Sequence, residues 1–231
     1  MNRTKPARPA DIRVDLLYIA SLIEPGSRVL DIGCGDGALL EFLARERGVD
    51  ARGIEISRTG VNACVARGLS VVQGDADTDL VNYPAGAFDY VILSQTLQAM
   101  RQPRAALMEL LRIGRRVIVS FPNFGYWKVR LLLLFTGRMP DTPTLDQPWY
   151  STPNIHLCTV RDFVDLCRDL GVTIEQSTVI DAKGNPPKRK LPLFFENFFG
   201  AQGMFVLRYD GPRDEKGAPI YPRRPYPERT G

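Results

Sequence analysis

Asp31 and Asp36 frame the glycines of Val29-Leu30-Asp31-Ile32-Gly33-Cys34-Gly35-Asp36-Gly37, where a short apolar strand runs into a glycine-rich turn. Gly33, Gly35 and Gly37 permit tight or positive-φ backbone and let a ligand approach main-chain N–H groups. The two carboxylates set negative charge beside that opening. An adenosine carrying a positive centre suits it better than a phosphate does.

Gly33-x-Gly35-x-x-Ala38 also matches the dinucleotide fingerprint, with Glu55 at about the spacing of a ribose-binding acid. In a dinucleotide site the pyrophosphate sits on the positive end of the following helix, where these carboxylates would repel it. S-adenosylmethionine places a sulfonium and an ammonium group there instead. Asp31 can accept from the ammonium while glycine N–H groups meet the ligand's carboxylate. S-adenosylmethionine or S-adenosylhomocysteine is therefore the expected ligand, with a dinucleotide or a purely structural turn as the alternatives.

Glu55 closes the apolar stretch Arg52-Gly53-Ile54-Glu55-Ile56, and its carboxylate can accept from both ribose hydroxyls. Asp75, in Gln73-Gly74-Asp75-Ala76-Asp77, can accept from the adenine amino group while the Ala76 N–H meets the ring; Asp77 competes for that role. The expected cofactor-binding set is Asp31, Gly33, Cys34, Gly35, Asp36, Gly37, Glu55, Ile56, Asp75, Ala76 and Ser94. His156, the sole histidine, is the candidate general base; a hydrogen-bonded structural histidine is the competing assignment. Phe121, Asn123, Tyr126, Trp127, Trp149 and Tyr150 either floor an acceptor pocket or pack the body. Their types alone do not separate the two.

The elements that must position these residues alternate. Helical spacing over Asp11–Ile23 precedes a strand at Arg28–Ile32 and a helix at Ala38–Arg47. A strand at Ala51–Ile56, a helix capped by Ser57 and ending near Gly68, and a strand at Leu69–Gln73 follow. Phe88–Leu93 reads as a strand buried on both faces, Pro103–Ile113 as a helix opened by proline, and Arg116–Phe121 as a fifth strand. Helices at Tyr126–Phe135 and Arg161–Leu170 and strands at Val172–Ile180 and Gly203–Tyr209 complete the pattern. Strands alternating with helices imply an α/β, doubly wound, mostly parallel sheet that binds ligands beyond its strand C-termini. Asp31, Glu55, Asp75 and Ser94 all fall there.

A chain of 231 residues with 44% hydrophobic content can bury one sizeable core. The net charge of +4 resides in Lys183, Lys188, Arg189, Lys190 and the segment from Gly211, which leaves the remaining body slightly acidic. That distribution gives no nucleic-acid footprint. Four cysteines without paired zinc spacing read as reduced thiols and indicate no metal site, which favours the cytoplasm. The start lacks an apolar leader core, and the longest apolar run, Leu131–Phe135, is too short to span a membrane. Residues 1–11 and 210–231 read as disordered tails around a domain at 12–209, with an inserted lid or substrate region at about 123–158.

The order of glycine turn, ribose acid, Gly74-Asp75 and Phe88-Asp89-Tyr90-Val91-Ile92 resembles the class I S-adenosylmethionine-dependent methyltransferases. That resemblance implies a Rossmann-like, seven-stranded sheet with its last strand antiparallel. Leu93-Ser94-Gln95-Thr96-Leu97-Gln98, Ser120-Phe121-Pro122-Asn123-Phe124-Gly125-Tyr126-Trp127, Gly137-Arg138-Met139-Pro140 and Trp149-Tyr150-Ser151-Thr152-Pro153-Asn154-Ile155-His156 are similar to the methionine biosynthesis family MetW. Membership would imply partnership with a homoserine O-acyltransferase, MetX, as partner or activator. Catalysis of methyl transfer to an unidentified small molecule is the alternative. Ser94-Gln95-Thr96 differs from the Asn/Asp-Pro-Pro-Tyr/Phe motif of many amino-group methyltransferases, which counts against DNA adenine or protein glutamine substrates.

Overall fold

A computed structural model describes residues 13–142, 144–145, 147–187, 189 and 191–221. Seven strands form one sheet: β1 (Arg28–Ile32), β2 (Asp50–Glu55), β3 (Ser70–Gln73), β4 (Phe88–Ser94), β5 (Gly114–Pro122), β6 (Thr173–Ile180) and β7 (Gln202–Arg208). Their order is β3-β2-β1-β4-β5-β7-β6. Pairings from β3 through β5 are parallel, and β7 runs antiparallel to both neighbours. The seven-stranded, doubly wound sheet expected from the sequence is present, with its final strand antiparallel.

The central strands are buried on both faces because alternate strand residues meet different helices. Leu30, Ile32, Val91, Leu93, Val117, Val119, Phe205 and Leu207 join one core with helices α5 (Pro103–Ile113) and α7 (Val160–Asp169). Val29, Tyr90, Ile92, Ile118, Met204 and Val206 join the other with α1 (Val14–Ser21) and α2 (Ala38–Arg47). Helix α3 (Arg58–Ala66) and the short α4 (Ala76–Asp79) follow β2 and β3. Ser57 caps α3 as expected, its Oγ accepting from the Gly60 N–H at 3.4 Å.

Between β5 and α7 the chain carries α6 (Trp127–Thr136) and an irregular loop; α8 (Leu193–Phe199) precedes β7. Asn123 fastens this region. Its amide donates to the carbonyls of Asn197 (2.9 Å) and Gly200 (2.8 Å). Its Oδ1 accepts from the N–H groups of Gly125 (2.9 Å) and Val160 (3.1 Å). With all its polar capacity spent on backbone, Asn123 is a staple between elements. Phe121 stacks among Phe163 and Phe205 in the core, and Tyr126 is buried, whereas Trp149 and Tyr150 are exposed.

Two expectations change. The sequence leaves Leu193–Phe199 unassigned, yet Phe194/Phe198 and Phe195/Phe199 carry helical i,i+4 spacing and their rings stack along α8. The tail expected from residue 210 is placed too early. Residues 210–221 fold back on the body: the Tyr209 hydroxyl bonds the Ile220 carbonyl, and the Tyr221 hydroxyl donates to the Met108 carbonyl at 3.2 Å. Burial of these aromatic rings supplies the driving force that the Pro- and Arg-rich composition conceals. The expected tail segments 1–11 and 222–231 lie outside the described residues.

Candidate functional site

Strands β1 and β2 are in parallel register, with Asp31 opposite Gly53. Because side chains alternate, Asp31 and Glu55 project from the same face near the C-terminal edge. Asp31 is only 4% exposed and accepts no hydrogen bond among the described residues. Burial, with the neighbouring Glu55 charge adding to it, pushes its carboxyl up to about 7. Glu55 is buried too, but each of its oxygens holds a backbone N–H. Its Oε2 accepts from the Gly35 N–H and its Oε1 from the Ser57 N–H, both at 2.8 Å.

The turn between β1 and α2 is held from within. The N–H groups of Gly33 and Cys34 donate to the Ile54 carbonyl at 2.8 and 3.2 Å, and that of Gly37 donates to the Cys34 carbonyl at 3.0 Å. With Gly35 bound to Glu55, these four donors are spent. In this structure the fold uses the glycine N–H groups that the sequence assigns to a ligand carboxylate to close the turn. The site instead offers acceptors: the Asp31 carboxylate and the remaining lone pairs of Glu55. That composition fits a ligand rich in donors and opposes a pyrophosphate.

Gly33 has φ +73°, and a Cβ there would lie 2.7 Å from Thr96 Oγ1. Thr96 in turn donates to the Ser94 carbonyl at 2.9 Å, so the turn packs against the residues that follow β4. Gly37, with φ +78°, starts α2, and a Cβ there would strike Leu69 and Cys64. Both positions are closed to other residues.

Other expected site residues are distributed differently. Asp36 accepts from the Ala38 N–H at 3.2 Å and pairs with Arg67 at 2.9 Å. Its charge is answered at the start of α2 and by the Arg67 guanidinium. The Cys34 side chain packs with Leu40 and Cys64 beneath the turn, where burial pushes its thiol up. Ile56 is exposed just past Glu55. Asp75 caps α4 by accepting from the Asp77 N–H at 2.9 Å, and pairs with Arg101 at 3.3 Å. Asp77 accepts from the Arg101 N–H at 3.1 Å, so both aspartates tie α4 to the loop after β4. The Ser94 and Ser120 hydroxyls meet at 3.2 Å across β4 and β5.

His156 is exposed, and its Nε2 lies 3.3 Å from the Arg101 carbonyl. The N–H groups of Ile155 and His156 both donate to the Gln98 carbonyl at 2.9 Å. The histidine thus pins its loop to the turn after β4. Sequence reasoning misses one feature here: Gln95 holds φ +51° and donates through Nε2 to the buried Asp15 at 3.2 Å. Eighty positions separate the two residues, so no local pattern announces the contact. A side chain forced into the left-handed region beside a site is strain of the sort that marks functional loops.

This architecture is that of the class I S-adenosylmethionine-dependent methyltransferases. An S-adenosylmethionine-dependent methyltransferase from Mesorhizobium loti superposes with a TM-score of 0.62 at 16% identity, covering 86% of this chain and 99% of that one. The family model "Methionine biosynthesis protein MetW" matches residues 13–207, and the chain belongs to the MetW family. It is 37% identical over 189 residues to the bifunctional methionine biosynthesis protein MetXA/MetW of Rhodopirellula baltica, covering 77% of this chain and 30% of that protein. It is 35% identical over 119 residues to a ubiquinone biosynthesis O-methyltransferase of Xanthomonas axonopodis pv. citri, covering 48% of this chain and 49% of the relative. The chain thus spans half or less of the length of these curated relatives. No helix among the described residues is long and apolar enough to cross a membrane.

Proposed function

We propose that this protein binds S-adenosylmethionine and acts with a MetX-type homoserine O-acyltransferase, as its partner or activator, in methionine biosynthesis. One observation carries the partnership: the relative MetXA/MetW joins the two names in a single polypeptide. The cofactor assignment rests on chemistry. Asp31, buried and without a hydrogen-bond donor, offers a receptor for the ligand's ammonium group, and Glu55 retains lone pairs for ribose hydroxyls. Ile56 and the Asp75–Ala76 segment complete the adenosine side. Bound S-adenosylmethionine would supply a transferable methyl group; in the partner role it reports the level of the pathway's end product.

A second reading, methyl transfer to a small molecule, is favoured by the likeness to an O-methyltransferase. It gains nothing from His156, whose ring is exposed and directed at the Arg101 carbonyl. Homoserine acylation measured with and without this protein, together with co-purification of the two, separates the readings. The partner role predicts a stable complex and a changed acylation rate; no complex and an unchanged rate would sink it.

A further inference from the structure

Helix α6 breaks the rule that a surface helix hides its apolar side. Leu131, Leu132, Leu133, Leu134 and Phe135 are all exposed, the last two at 73% and 78%. Five consecutive residues at 100° per step visit every side of a helix. The C-terminal half of α6 therefore projects from the body with apolar groups all round, while its first half is anchored through the buried Val129. Beside it, α8 exposes Phe194, Phe195 and Phe199, and Arg130 of α6 lies 5.7 Å from the Phe198 ring. Arg130 thus links the base of the projecting half to α8. Both helices adjoin the C-terminal end of β5, the same end of the parallel strands as Asp31 and Glu55.

We propose that this projecting half of α6, with the phenylalanine face of α8, is the surface that docks into the acyltransferase. The inference rests on the partner reading above. Exposed apolar surface of this kind marks a protein contact, and a short apolar helix standing clear of its own body suits insertion into a groove. The fused relative supplies the occupant, since its single polypeptide carries both names. Charge narrows the groove's chemistry. Lys128 and Arg138 flank the leucines without an acidic partner among the described residues, so the receiving groove is apolar with a carboxylate rim. A helix lying in a membrane interface would segregate one apolar and one polar face. The unbroken run from Leu131 to Phe135 does not.

The test uses the full chain and the purified acyltransferase, with affinity read by biolayer interferometry. Leu134→Glu and Phe194→Glu should each weaken the complex at least tenfold while leaving melting temperature and S-adenosylmethionine affinity at wild-type values. Val72→Glu, at an exposed position on β3, should leave the complex intact. Variants that bind within twofold of wild type would overturn the docking surface while the partnership stood. Absence of any wild-type complex would overturn both. A wild-type dimer that Leu134→Glu converts to monomer would assign the surface to a second copy. Co-sedimentation of wild type alone with phosphatidylserine vesicles would assign it to a membrane. Either result would overturn the proposal.

Discussion

Asp31 and Glu55, placed on one face by the register of β1 and β2, divide the work of a buried carboxylate pair unequally. Glu55 accepts two backbone N–H groups and closes the glycine turn. Asp31 accepts none, and with Glu55 beside it its carboxyl titrates near 7. The pair leaves one strong acceptor unsatisfied where a ligand would bind.

That arrangement destabilises the ligand-free fold. The folded protein holds the Asp31 proton up to about pH 7, whereas the unfolded chain releases it near 3.8. Between those values the folded state binds more protons, so stability falls as pH rises and the full penalty is present above pH 7. Asp31→Asn is expected to stabilise the ligand-free protein by roughly 2–4 kcal/mol at pH 8, since each tenfold difference in proton affinity between the two states is worth about 1.4 kcal/mol. Near pH 4 the gain should vanish. Thermal unfolding of both proteins across this range checks the sign, and an asparagine variant that is less stable at pH 8 would refute it.

Glu55→Gln replaces one acceptor oxygen with a donor facing a backbone N–H. The loss of that charge-assisted bond should cost about 1–3 kcal/mol, and the Asp31 carboxyl should titrate lower once the neighbouring charge is gone. Chemical denaturation and carboxyl-carbon NMR titration read the two effects separately.

Gly33→Ala forces a Cβ to within 2.7 Å of Thr96 Oγ1 at φ +73°. A loss of about 2–3 kcal/mol is expected from overpacking and backbone strain together. Thr96→Ala added to it should recover the packing part and leave about 1 kcal/mol of left-handed strain. Additive effects in that double-mutant cycle would contradict the contact.

Asn123→Ala deletes four hydrogen bonds that hold α6, α7 and α8 together. The backbone groups left unpaired in a buried place should lower stability by about 2–4 kcal/mol. Hydrogen exchange should show the loss concentrated between residues 123 and 200, and protection unchanged in β1 to β3.

Much of this was legible in the sequence. The apolar strands, the glycine turn and the strand-end positions of Asp31, Glu55, Asp75 and Ser94 followed from periodicity and from residue type. Partner choice was not. Asp36 reads as a site carboxylate until Arg67, far along the chain, is seen to pair with it. The glycine N–H groups read as open until the Ile54 carbonyl and Glu55 are seen to occupy them. Asn123 reads equally well as pocket floor or staple, because only its four partners decide. Long-range pairing settles each case, and no local pattern encodes it.

Calorimetric titration of S-adenosylmethionine in buffers of different ionisation heat tests the central claim, that Asp31 receives the ligand's ammonium group. Asp31 titrates near 7 and an α-amino group at about 7.7–8.0, so affinity should peak between these values and fall on either side. At pH 7, binding should release about half a proton from Asp31. Asp31→Asn should abolish that release and weaken binding at least tenfold, Glu55→Ala should also weaken it, and NAD should give no heat. Unchanged S-adenosylmethionine affinity in both variants, or tight binding of NAD, would contradict the account.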